Sequence, residues 1–130
     1  MKNKLLAPDD KKLKDYIVAV VKFKDMSPSA VSSALDKYKK ELPKRTEAAV
    51  FRFLIESNMK TAMQIAARYR GTGISFASLI REANAALFES VARWKEKGFS
   101  NDEFYSYITW KIEGRLINTV LNKNRETGVR

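Results

Sequence analysis

Tyr107, Trp110, Lys111 and Arg115 lie close together near the end of the chain, and their types and spacing suit one kind of chemistry. A phenol and an indole one helical turn apart can stack on unpaired nucleobases, each stack being worth roughly 1–3 kcal/mol. The two cations beside them can neutralise phosphates. Gly114 would let a backbone approach closely, and Ile117 and Asn118 continue the same side of a helix. Trp94, Lys97 and Phe99 repeat the aromatic and basic mixture on the connection leading in. This is the chemistry of binding. The chain has no cysteine and no histidine, no paired carboxylates, no glycine-rich phosphate loop and no cluster of metal ligands. Disulfides and thiolate or imidazole metal sites are excluded, and neither catalysis nor a cofactor or metal is expected.

These residues must be positioned by a helix. At 100° per residue, Phe104, Ile108, Ile112 and Leu116 fall on one apolar stripe, the expected core contact. Tyr107, Trp110, Gly114, Ile117 and Leu121 fall on a second, with Lys111, Arg115 and Asn118 between the two. A surface helix needs only one apolar face. Either the second meets nucleic acid, or it packs against the preceding helix or the N-terminal helices. Trp94 has the same two readings, because it also continues the apolar stripe of its own helix.

Helical periodicity recurs along the chain and no segment sustains strand alternation, so the expected fold is all-α, a single compact domain of about five helices. The first spans residues 9–24, with Asp9 and Asp10 at the dipole-favoured end. Ser27 and Pro28 start the second, which runs to about Glu41 before Pro43 closes it. Thr46 caps a long third helix that ends at Gly71 and Gly73; Ser75 starts a fourth that ends at Gly98. Ser100 and Glu103 form a capping box for the fifth, which continues to about Lys123. The expected organisation is a helical lead-in over 1–57, a functional helical region over 58–123 and a mobile tail over 124–130.

A chain of 130 residues with 25 Lys or Arg against 15 Asp or Glu carries +10, which favours an anionic partner, nucleic acid first. The charge is uneven. Residues 1–70 hold 16 basic and 8 acidic side chains and residues 71–130 hold 9 and 7, so the half that looks like a base binder is the less basic one. No apolar run approaches the roughly 20 residues that cross a bilayer, no membrane partner is expected, and the cytoplasm is the simplest location.

Over residues 58–118 the chain resembles the second conserved region of bacterial sigma factors. Asn58 opens a segment that ends Ile65-Ala66 and Tyr69; Gly71, Gly73, Phe76, Leu79, Ile80 and Glu82 follow in the family's order, then Asn84, Leu87 and Phe88. Tyr107, Trp110 and Ile112 match the last helix, and residues 112–117 look like the flagellar and sporulation variety. The resemblance implies a contact with the coiled coil of the largest subunit of core RNA polymerase at Met59, Ala62, Ala77, Ser78, Arg81, Glu82, Asn84 and Phe88. It implies a surface that traps bases of the minus-ten promoter element at Trp94, Lys97, Phe99, Phe104, Tyr107 and Trp110. Contacts with the duplex edge fall on Lys111, Gly114, Arg115, Ile117 and Asn118. The chain departs from the pattern at Ser78 and Arg81, where many sigma factors carry aspartate and glutamine, and at Lys111, where primary sigma factors carry a second tryptophan.

The expected function is therefore to bind core polymerase and to recognise or melt the minus-ten element of promoter DNA. No helix-turn-helix pattern follows, so upstream recognition would come from a separate partner protein carrying one, or the chain is a fragment. The alternatives are a regulator that keeps the polymerase face without melting DNA, and a non-specific basic DNA binder.

Overall fold

The structure, a computed structural model, describes residues 8–23 and 27–127, and these are helical with no strand among them. The helices are α1 (Leu13–Val21), α2 (Pro28–Tyr38), α3 (Lys44–Glu56), α4 (Met59–Ala67), α5 (Phe76–Ala92), the single turn α6 (Trp94–Lys97) and α7 (Phe104–Thr127), with a 3-10 turn at Asn101–Glu103 before α7. None is long and apolar enough to cross a membrane.

The start signals act as expected. The Ser27 hydroxyl accepts from the Ala30 amide at 3.2 Å, with Pro28 in the first turn of α2, and the Ser75 hydroxyl accepts from the Ser78 amide at 3.1 Å at the head of α5. Gly98 ends α6 at φ +65°, a left-handed conformation that side chains with a Cβ resist. Ahead of α7 the Glu103 carboxylate accepts from the Ser100 amide at 3.1 Å.

Several boundaries differ from expectation. The long third helix is two helices. Asn58 turns its amide back onto the Leu54 carbonyl at 2.8 Å, and α4 starts afresh at Met59. The first of the two starts at Lys44 behind Pro43, two residues before Thr46. The fourth helix breaks at Arg93, which leaves α6 as a separate turn. α2 ends at Tyr38, short of Glu41, and α7 passes Lys123 to reach Thr127. The expected end of the first helix at Lys24 and the last three residues of the expected tail lie outside the described residues.

α5 is the central element. It buries Leu79, Ile80, Ala83, Leu87 and Val91, packs along α7 and α4, and also touches α3. Leu54, Ile55, Met59, Ile108, Ile112 and Leu116 complete the core from α3, α4 and α7, and Leu35 and Val20 close it from α2 and α1. Burying each large aliphatic side chain contributes roughly 1.5–3 kcal/mol, so α7 is clamped against α5 by its Phe104, Ile108, Ile112 and Leu116 stripe. The other face of α7 is thereby fixed outward.

Candidate nucleic-acid interface

On that outward face Trp110 is 69% exposed and Ile117 and Leu121 are each 47% exposed. Lys111, Gly114 and Asn118 are exposed beside them, and the Lys111 ammonium lies 5.6 Å from the centre of the Trp110 ring. A Cβ on Gly114 would meet nothing within 4 Å among the described residues, so no neighbour among them demands glycine there. A shallow cavity of about 280 Å³ runs past Trp110, Lys111, Gly114, Arg115 and Asn118 to Ala86 and Glu89 of α5. Exposed indole, adjacent ammonium and bare backbone together can stack a base and hold its phosphate.

The other expected base-stacking residues are placed differently. Trp94 is 1% exposed, and Phe104 and Tyr107 are buried with it. Trp94 meets Phe104 edge-on at 5.1 Å and Tyr107 at 5.8 Å, and Phe99 closes the cluster at 6.0 Å from Trp94 and 5.6 Å from Tyr107. The cluster is a floor of aromatic rings from which Phe99 emerges, with Lys97 exposed at its edge, 5.9 Å from the Tyr107 ring. Burial pushes the Tyr107 phenol above its ordinary pKa, with nearby Arg93 opposing and Glu96 adding to the shift. The buried Trp94 indole N–H has no hydrogen-bond partner among the described residues.

The loop carrying Phe99 is fastened by contacts that periodicity could not foretell. Lys39 donates to the Phe99 carbonyl at 3.1 Å and to the Asn101 amide oxygen at 2.7 Å. Asn101 in turn donates to the Asp36 carboxylate at 2.6 Å and to the Ser32 hydroxyl at 3.2 Å. All three partners stand on or just after α2, more than sixty residues away in the chain, and only their polar character hinted at such use. Between α2, the α3–α4 junction and the start of α7 opens a cavity of about 560 Å³, whose lining combines Val31, Leu35 and Phe104 with Asn58, Thr61, Asp102 and Tyr105.

Arg115 does not stand free beside Lys111. Its guanidinium donates to Glu82 at 2.8 Å and to Glu89 at 3.3 Å, both on α5, and the hydrogen bond to Glu82 leads the effects that raise its pKa further. It therefore joins a residue of the expected polymerase face to the expected DNA face.

On the expected polymerase face, Met59, Ala62, Ala77 and Asn84 are buried, while Ser78, Arg81, Glu82 and Phe88 are half-buried. Asn84 donates to the Tyr16 hydroxyl of α1 at 2.6 Å, and Arg81 donates to the Pro8 carbonyl at 2.7 Å and to the Ser78 hydroxyl at 2.6 Å. Phe88 meets Phe51 edge-on at 5.5 Å. α1 and Pro8 thus lie against part of this face. Desolvation raises the Tyr16 phenol to about 12, with the Asn84 hydrogen bond opposing the shift.

The family profile of sigma-70 region 2 matches residues 54–126. The chain is 29% identical over 98 residues to RNA polymerase sigma factor SigA1 of Synechococcus elongatus, a match covering 75% of this chain and 23% of that protein. It is 34% identical over 73 residues to RNA polymerase sigma factor SigA of Lactococcus lactis subsp. cremoris, covering 55% and 19%. The matches thus span less than a quarter of the length of these relatives. No solved structure matches the chain.

Proposed function

Because the chain belongs to the sigma-70 region 2 family, we propose that it binds core RNA polymerase through the α4–α5 face and captures the unpaired strand of a minus-ten promoter element on α7. The observation that carries this reading is the exposure of Trp110 at 69%, against Lys111 and inside the matched segment. A large indole left mostly in water contributes little to the fold and is suited to stacking. The aromatic floor of Trp94 and Tyr107 carries the Phe99 ring, and the cavity beside Asn58 and Asp102 is of a size to receive an extruded base. A separate protein supplying upstream-element recognition is part of this proposal.

A second reading, a polymerase-binding regulator that does not open DNA, is favoured by two observations. Three of the expected base-trapping aromatics are buried, and Arg115 is held by two carboxylates.

The test is binding of the purified chain to core polymerase, then of the complex to fluorescent forked DNA with a single-stranded minus-ten element. Capture predicts that Trp110→Ala weakens fork binding about 5- to 150-fold, the equivalent of roughly 1–3 kcal/mol. Polymerase binding with no affinity for the fork would favour the regulator. Absence of polymerase binding would refute both.

A further inference from the structure

We propose that the turn joining α2 to α3 is a second DNA contact, a cationic rest for the phosphodiester backbone of the single strand after it leaves the aromatic surface. This second contact rests on the reading of α7 as the base-capturing face.

Residues 37–45 hold Lys37, Lys39, Lys40, Lys44 and Arg45 against one carboxylate, Glu41. Lys37, Lys40, Lys44 and Arg45 are exposed and form no ion pair among the described residues. The carboxylates that flank the turn are engaged elsewhere. Asp36 accepts from Asn101, and Glu47 pairs with Lys95 at 2.5 Å. The turn is also held against the aromatic surface: Lys39 grips the Phe99 carbonyl at 3.1 Å, and the Lys95 ammonium sits 4.7 Å over the Tyr38 ring. The turn therefore continues the edge where Phe99 and Lys97 are exposed. Exposed cations with no ion-pair partner among the described residues, beside a stacking platform, make the electrostatic groove that tracks a single strand. This placement accounts for part of the charge imbalance, since residues 37–45 hold five of the 16 basic side chains of residues 1–70 and lie outside the family match at residues 54–126.

The experiment compares the wild-type chain with a combined Lys37→Gln, Lys40→Gln and Lys44→Gln variant and with the same three positions changed to arginine. Two arms are measured against salt: the isolated chain with a fluorescent single-stranded oligonucleotide, and the polymerase complex with forks whose single strand stops at the element or extends well beyond it. The expected result is a salt slope reduced by roughly 0.7 for each phosphate that is no longer neutralised, retention of the slope in the arginine variant, and disappearance of the advantage of the extended fork. An unchanged slope, with the extended fork still preferred, overturns the proposal. So does a drop in polymerase affinity at an unchanged slope, which would assign the turn to an acidic protein surface. Trp110→Ala, run in parallel, separates the two claims. If it has no effect while the glutamine variant shows the smaller slope, base capture fails and the backbone contact stands. If the chain ignores polymerase, the oligonucleotide arm still decides the turn.

Discussion

The two tryptophans should respond to truncation in opposite ways. Trp94 is 1% exposed and is surrounded by Phe104, Tyr107 and Phe99 at 5.1, 5.8 and 6.0 Å. Removing such a ring costs roughly 3–5 kcal/mol, the transfer energy of the ring plus the cavity it leaves. A chain of 130 residues unfolds with an entropy of about 0.27 kcal/mol/K, so Trp94→Ala should lower Tm by ~11–18 °C. Trp110, 69% exposed, makes no such contacts, and Trp110→Ala should stay within about 0.5 kcal/mol of wild type, or ~2 °C. Thermal unfolding followed by far-ultraviolet circular dichroism reads both shifts, and fork binding at a temperature where both variants are folded reads the rest. A Trp94→Ala variant that melts within a few degrees of wild type yet no longer binds DNA would refute this, because Trp94 would then be a surface stacking residue. Unfolding of the chain by Trp110→Ala would refute it equally.

Glu89→Gln removes one of the two carboxylates on Arg115, and because the pair is more than a third exposed the stability loss should be under about 0.5 kcal/mol. The loosened guanidinium should raise the affinity of the isolated chain for a single-stranded oligonucleotide at low salt, by less than about tenfold, as fluorescence anisotropy would show. Tyr16 ionises near 10.0 when unfolded and at about 12 when folded, so its contribution is complete below pH 10 and is lost as pH rises to 12. Denaturant titrations should show a loss of roughly 2–3 kcal/mol over that range, and Tyr16→Phe should flatten it. Gly98→Ala should destabilise by roughly 1–2 kcal/mol because its φ of +65° is left-handed, and Gly98→Asn by less, both read from denaturant midpoints.

Much of the scaffold could be read from local signals. Ser27, Ser75, Gly98 and Glu103 mark helix ends through interactions that span three or four residues, and the Phe104, Ile108, Ile112 and Leu116 stripe needs only helical spacing to be seen. The break at Asn58 is hidden because the apolar spacing runs through it without interruption; the decisive event is one side-chain amide taking the Leu54 carbonyl. The candidate site was legible in its residue types and not in their exposure. Tyr107 and Trp110 are one turn apart on the same predicted stripe, yet one is buried and the other is open. The difference is made by Trp94 of α6 and Phe99 of the loop after it, which pack on Tyr107. The positions of Arg115, Arg81 and Asn84 were equally hidden, since their partners Glu82, Pro8 and Tyr16 are distant in the chain.

The contrast between the tryptophans also makes the unaltered protein its own optical reporter. An indole sealed among aromatic rings with its N–H unsolvated emits toward the blue, as Trp94 should. A water-bathed indole emits toward the red, as Trp110 should. A nucleobase stacked on Trp110 would quench only the red component, and loosening of the core would shift only the blue one. Strand capture and unfolding would then be followed in a single spectrum, at two colours, without a label.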